Sequence, residues 1–331
     1  MGSCMTYSKI AGTGRYLPER VLTNFDLEKI VETSDEWIRT RTGVERRHVC
    51  ADDETTSDMC VEAAKVAIED AGIDVSDIDF VIVGTTTPDL IFPNIATLIQ
   101  HRLGIPACTA FSLEAACTGF IYALTTTDKF IKAGGTKCAL VIGAECITKL
   151  VDWKDRNTCV LFGDGAGAIV VGASSDGNRG ILSTRLRTDG SYAKTLYVPA
   201  GGSLKPASIE TIESKQHTIT MNGKEVFKIA VRAMEEISRE VLEEANVSID
   251  EVSLVIPHQA NRRIINALAE RLKVPLEKVV VNVDKYGNTS AASVPVALDE
   301  AWRQGRIAAG DTVLLNSFGA GFAWGAALIR F

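Results

Sequence analysis

Two stretches of the chain repeat one order of apolar pattern. Met59, Ala63, Val66, Ala67 and Ala71 recur at the spacing of a single helix face across residues 57–71, and Gly72 supplies a stop. Residues 79–86 (DFVIVGTT) then form a continuous apolar run suited to a strand buried on both faces. Further on, Asn222 and Glu225 have the spacing of a capping box, and Phe227, Ala230, Val231, Met234, Ile237 and Val241 make an apolar stripe. Residues 253–257 (SLVIP) read as the next buried strand. Each half closes in the same way: residues 140–144 (LVIGA) precede the glycine-rich 163–171 (GDGAGAIVV), and 312–315 (TVLL) precede 319–329 (GAGFAWGAALI). Near-continuous Val/Ile/Leu strands separated by helices require sheets covered on both faces. Two such halves imply an α/β protein of duplicated five-layer α/β/α/β/α build. Residues 1–177 form the first half and 178–331 the second. An irregular surface insertion, interrupted by Pro199, Gly201, Gly202 and Pro206, falls near 191–220.

Composition narrows the class. With 331 residues, 46% apolar and 23% charged, the chain has material for two domain-sized cores, and no run approaches the length of a membrane span. The opening residues lack the basic and apolar regions of a signal peptide, so a cytoplasmic, membrane-free protein is expected. A net charge of −7 argues against a general nucleic-acid binder. The eight cysteines, Cys4 included, form no CxxC pair, so most are expected to be buried and reduced, with no metal site.

Three turns carry candidate chemistry. Cys117 lies in Ala115-Ala116-Cys117-Thr118-Gly119-Phe120, a small-residue turn opening an apolar helix. A helix N-terminus there would favour thiolate, although one more buried cysteine is the simpler explanation of the residue alone. His258 follows the buried strand SLVIP, and ends of parallel strands are where α/β sites form. The neighbours of His48, His101 and His217 give them no such role. Asn288 stands in Gly287-Asn288-Thr289-Ser290-Ala291-Ala292-Ser293 after a strand expected at 278–283. In isolation it is a turn residue, and its interest is its position. The glycines of 163–167 and 319–321 precede strands, unlike a nucleotide loop. A free N–H at Ala320 could serve as an oxyanion donor, with a tight structural turn as the competing explanation.

Taken in order, Gly12-Thr13-Gly14, Tyr16-Leu17-Pro18, Thr33-Ser34-Asp35-Glu36-Trp37, Arg41-Thr42-Gly43, Ala115-Ala116-Cys117, Phe162-Gly163-Asp164-Gly165-Ala166-Gly167, Pro257-His258-Gln259-Ala260-Asn261, the Gly287–Ser293 run and Phe318-Gly319-Ala320-Gly321-Phe322 resemble the initiating condensing enzymes of type II fatty-acid synthesis, the β-ketoacyl-acyl-carrier-protein synthases III. These are a branch of the thiolase-like fold, and the resemblance runs from Ile10 to Phe331. It implies that Cys117 takes an acyl group from an acyl-CoA primer, with oxyanion donors at the N–H groups of Cys117 and Ala320. It also implies that His258 and Asn288 stabilise the enolate formed when malonyl-acyl-carrier-protein loses CO2. No cofactor is implied, CoA thioester being the substrate. Trp37, Arg41, Arg156, Phe227, Ala260 and Asn261 would line the CoA mouth. Phe92, from the partner subunit of a homodimer, and Phe318 would bound the acyl pocket. The acidic carrier protein would meet Arg263, with Arg262, Lys228, Lys224 and Arg271 around it. Asn288 separates the chain from elongating synthases, which use two histidines, and from thiolases, which use a second cysteine. Thr118 and Ala320 depart from the smaller residues common in relatives, which leaves primer preference open. The alternatives at this point are a specialised condensing relative making quinolones, polyketides or long-chain ketones, a Cys-His-Asn hydrolase in which Asn288 orients His258 as base, and a non-catalytic binding protein of the same fold.

Overall fold

The computed structural model describes residues 6–177 and 179–331; Cys4 lies outside the described residues. The chain opens with β1 (Tyr7–Tyr16), followed by β2 (Val21–Thr23), α1 (Asn24–Leu27), α2 (Asp35–Thr42) and β3 (Arg46–His48), β2 and β3 pairing at the surface. Then come α3 (Thr56–Ala71), β4 (Phe80–Gly84), α4 (Ile95–Arg102), β5 (Thr109–Leu113), α5 (Gly119–Lys132), β6 (Cys138–Glu145) and β7 (Gly165–Ser174). The first sheet runs β1-β7-β6-β4-β5, with β4 parallel to both neighbours.

The second half repeats the plan. It contains β8 (Gly180–Thr188), β9 (Leu196–Tyr197), α6 (Ile209–Glu213), β10 (Thr220–Met221), α7 (Gly223–Glu244), β11 (Leu254–Pro257), α8 (Arg262–Leu272), α9 (Val283–Tyr286), α10 (Ser293–Arg303), β12 (Thr312–Gly319) and β13 (Ala323–Arg330). Its sheet runs β8-β13-β12-β11, which is the order of the first sheet without the fifth strand. The strand expected at 278–283 is replaced by an extended segment that makes one bridge, Val279 to Val255. The reason is local: the Gln259 side chain takes the ladder's place, its Nε2 donating to Pro257 O and Val280 O while its Oε1 accepts from Asn282 N. A side-chain amide thus closes this sheet edge.

The layers follow from where apolar faces can be buried. α3 and α4 cover the outer face of the first sheet, α7 and α8 that of the second, and α5 and α10 lie between the sheets, each touching both. β4 and β12 are buried along their whole length and β6 from Ala139 onward, as strands covered on two faces must be. The helix signals act where the sequence placed them: Thr55 and Asp58 form a capping box at α3, and Gly72 ends it with φ 65. At α7 only half of the expected box forms. The Asn222 side chain accepts from Glu225 N, but the Glu225 carboxylate is taken by Thr195 Oγ1.

The middle layer needs one unusually close approach. A Cβ on Gly84 would stand 2.4 Å from the carbonyl carbon of Gly119, so the end of β4 and the start of α5 touch main chain to main chain. Neither side can give. Gly84→Ala is therefore expected to destabilise the protein by about 1–3 kcal/mol, read as a lowered urea midpoint; an unchanged midpoint would show that this contact does not constrain the layer.

Candidate active site

Cys117 is presented by a turn that its own neighbours hold. After β5, the Glu114 carboxylate accepts from Ala116 N at 2.8 Å, Ala116 adopts φ 48, and a single 3₁₀ turn, Ala116–Thr118, leads into α5. A left-handed alanine costs about 1–3 kcal/mol and persists where the surroundings over-determine it. Here Ser317 Oγ donates to Cys117 O at 2.8 Å and Thr118 Oγ1 donates to Ala323 O at 3.0 Å. Thr118 thus turns its hydroxyl into β13 and away from the thiol, so it is no obstacle beside the nucleophile. Gly319 at the end of β12 lets the turn approach, because a Cβ there would be 2.7 Å from Cys117 N.

The second half builds the same turn with different side chains. Asn288 Oδ1 accepts from Ser290 N at 2.9 Å, Ser290 has φ 50, and the 3₁₀ turn Ser290–Ala292 leads into α10. Asn288 thus occupies the place of Glu114, and Ala291 the place of Cys117. Its main chain is tied to the opposite half by Asn288 N to Leu161 O (2.8 Å) and Gly163 N to Asn288 O (3.1 Å). With Oδ1 committed to Ser290, the Nδ2 donors are left for the cavity.

His258 follows β11 at the position that Gly84 holds at the end of β4. Ser293, at the position of Gly119, places its Oγ 2.6 Å from His258 Nδ1. The same Oγ accepts from Gln259 N at 3.4 Å; where its own proton is given to Nδ1, the ring proton resides on Nε2. Burial drives the imidazole down to about 3, so the ring is neutral. In that tautomer the neutral His258 is a hydrogen-bond donor through Nε2.

Cys117, His258 and Asn288 line one cavity of about 120 Å³, bounded outward by Phe227, Ala260 and Asn261 and inward by Phe318. On the other side of Cys117 lies a second cavity of about 690 Å³, lined by Thr86, Ala320 and Ser290 and by Leu196, Val198 and Ile219. The last three belong to the 191–220 stretch, which is thus a wall of the site as well as surface. Burial pushes the Cys117 thiol up to about 12; Ser290 lowers it and Glu145 raises it. Burial thus works against the thiolate that a helix N-terminus would favour, and the full α-helix starts only at Gly119, two residues on.

At the rim, the guanidinium carbons of Arg41 and Arg156 lie 4.9 and 5.2 Å from the Trp37 ring centre, and Asn261 Nδ2 donates to Arg41 O. Arg263 sits 5.7 Å over Phe227. Lys224, Lys228 and Arg262 are exposed, whereas Arg271, at the far end of α8, is held by Glu235 at 2.7 Å and does not join them. Phe92 is 83% exposed and outside both cavities of its own chain. The sequence reading gave no role to Glu145, Ser290, Ser293 or Ser317. The signal available was a carboxylate closing an apolar strand, two hydroxyls in the Gly287–Ser293 turn, and a third just ahead of Phe318.

Comparison with known proteins gives a consistent picture. The profile described as 3-oxoacyl-[acyl-carrier-protein (ACP)] synthase III matches residues 111–190, and the one for its C-terminal part matches residues 242–331. The β-ketoacyl-[acyl-carrier-protein] synthase III of Thioalkalivibrio sulfidiphilus is 54% identical over 327 residues, covering 99% of this chain and 100% of the relative. The protein of the same name from Xanthomonas campestris is 54% identical over 98% of each chain. The crystal structure of 3-oxoacyl-[acyl-carrier-protein] synthase III from Aquifex aeolicus superposes with a TM-score of 0.91 at 52% identity, over 98% of this chain and 100% of that one.

The neutral state of His258 has a consequence for stability. Below its ordinary value of 6.5 the unfolded chain takes up a proton that the folded ring refuses down to about 3, so this group removes stability as pH falls through that window. At pH 5 the loss is about 2 kcal/mol. His258→Gln is expected to lose less stability than the parent between pH 7 and pH 5, measured by urea midpoints; an equal loss would mean that the native ring accepts the proton.

Proposed function

The chain belongs to the β-ketoacyl-acyl-carrier-protein synthase III family, and from that premise we propose that it condenses an acyl-CoA primer, acetyl-CoA first among them, with malonyl-acyl-carrier-protein to give a 3-ketoacyl-acyl-carrier-protein and CO2, the step that initiates fatty-acid synthesis. The observation that carries the mechanism is that a neutral His258 and Asn288 share one cavity with Cys117, where Nε2–H and Nδ2–H would be the two donors. Neither is arranged as a base.

In the first half-reaction the Cys117 sulfur attacks the primer carbonyl, with the N–H groups of Cys117 and Ala320 as donors to the oxyanion, and CoA departs as its thiol. In the second, the malonyl thioester oxygen accepts from His258 and Asn288. The carboxylate leaves as CO2, the electron pair delocalises onto that oxygen, and the resulting carbanion attacks the acyl carbon on Cys117. Fixed donors at the developing enolate suit this step because they need no reorganisation as charge appears. A Cys-His-Asn hydrolase would need Asn288 on His258 Nδ1; that nitrogen is taken by Ser293, and Asn288 by Ser290.

Trp37, Arg41, Arg156, Phe227, Ala260 and Asn261 would hold the CoA thioester along the outer path, with aromatic and guanidinium planes for adenine and arginine charge for phosphate. Arg263, Arg262, Lys224 and Lys228 would receive the acidic carrier protein. The enzyme acts as a cytoplasmic homodimer in which the exposed Phe92 loop closes the partner's acyl cavity.

The test is incubation with acetyl-, butyryl- and octanoyl-CoA, detection of acyl-enzyme by intact mass, and addition of malonyl-acyl-carrier-protein. Cys117→Ser is expected to abolish acylation. His258→Ala and Asn288→Ala are expected to acylate but to lose condensation by about 10²–10³-fold. Release of free acid without condensation would overturn the reading.

A further inference from the structure

Among the described residues, the Cys117 sulfur has one side-chain hydrogen-bond partner, and it is not His258. Ser290 Oγ lies 3.4 Å from Cys117 Sγ and 3.3 Å from Oε1 of Glu145, the last residue of β6. Glu145 is fully buried and has no ion-pair partner among the described residues. Its carboxylate accepts from Thr86 N, from the hydroxyls of Thr85, Thr86 and Thr87, and from Ser290. A carboxylate anchored by three successive threonines and left with one contact into the site forms a continuous path, thiol to hydroxyl to carboxylate. Burial penalises the lone ionisation of Cys117, since it would place a second negative charge beside the first. Moving the proton from sulfur to Glu145 creates no new charge.

We propose that Glu145 is a positioning residue that takes up the Cys117 thiol proton through the Ser290 hydroxyl, so that one buried negative charge passes from carboxylate to sulfur when acylation begins. The S–H bond breaks as its proton reaches Ser290 Oγ, and the Ser290 proton moves to Glu145 Oε1. The electron pair left on sulfur forms the new C–S bond. The C–S bond to CoA breaks with its pair on the CoA sulfur, which recovers the proton from Glu145 by way of Ser290. The arrangement explains how a thiol raised to about 12 can react near neutrality, and Glu145, itself raised to about 7 by burial, is matched to hold a proton briefly. The titratable groups facing this pair are Glu114 on the turn before α5, Cys60 on α3 with Asp89 beyond it, Cys146 next along the chain, and His258 across the cavity; the neutral His258 supplies no counter-charge.

The proposal rests on the condensing-enzyme reading only for the acyl donor, so it is tested first without one. Cys117 alkylation by iodoacetamide is followed by peptide mass from about pH 5 to about pH 10 in the full chain, in Glu145→Gln and in Ser290→Ala. In the parent, alkylation should rise through about pH 7, as Glu145 loses its own proton and can accept the thiol's, and then level off. In both variants this rise should vanish, with at least about a tenfold slower reaction at pH 7. If Glu145 merely repels the thiolate, neutralising it speeds alkylation, and an equal or faster rate in Glu145→Gln overturns the proposal. Ser290→Ala leaves the three threonine contacts of Glu145 in place and carries the test where Glu145→Gln unfolds. A parental alkylation profile in Ser290→Ala sinks the relay whatever the fate of the condensation reading.

Discussion

Everything in this site depends on two helix-opening turns held face to face between two sheets. The turn before α5 and the turn before α10 meet at the centre of the middle layer, where a Cβ on Gly143 of β6 would stand 2.3 Å from the Ala291 carbonyl. Close packing of main chain leaves no room for adjustment, so the left-handed residues Ala116 and Ser290 are kept in conformations that an isolated peptide would leave. The outer helix layers add burial. They do not set the geometry.

The duplication supplies a frame, and the chemistry comes from where the halves differ. Glu114 and Asn288 make the same side-chain bond to the N–H two residues on, yet only the amide keeps donors to spare. Gly84 meets Gly119 main chain to main chain, whereas His258 and Ser293 at the matching places hold a side-chain hydrogen bond. One half gives up side chains to bring the nucleophile close. The other uses the equivalent space for donors.

Much of this was legible in the chain. The repeated order of periodic helix, apolar strand and glycine-rich turn set the five layers, because burial on two faces leaves little choice of residue. Cys117, His258 and Asn288 stood out as polar groups at ends of apolar runs, and they line one cavity. What escaped was set by distant partners. Gln259 displaces a strand that 278–283 would otherwise make, Thr195 takes the carboxylate of an intended capping box, and Glu235 removes Arg271 from the basic face. The thiol's charge state also escaped, since desolvation depends on the whole enclosure and leaves no local sequence mark.

The 191–220 stretch divides labour in a way that matters beyond a single enzyme. It walls the larger cavity with Leu196, Val198 and Ile219, yet its own scaffold is a pair of two-residue strands and a five-residue helix outside the five layers, with Leu204 97% exposed. Substitutions there would reshape this cavity without touching the turns that hold Cys117, His258 and Asn288. The fold thereby confines the paired turns to its centre and leaves much of the wall of the larger cavity to a segment outside the layers.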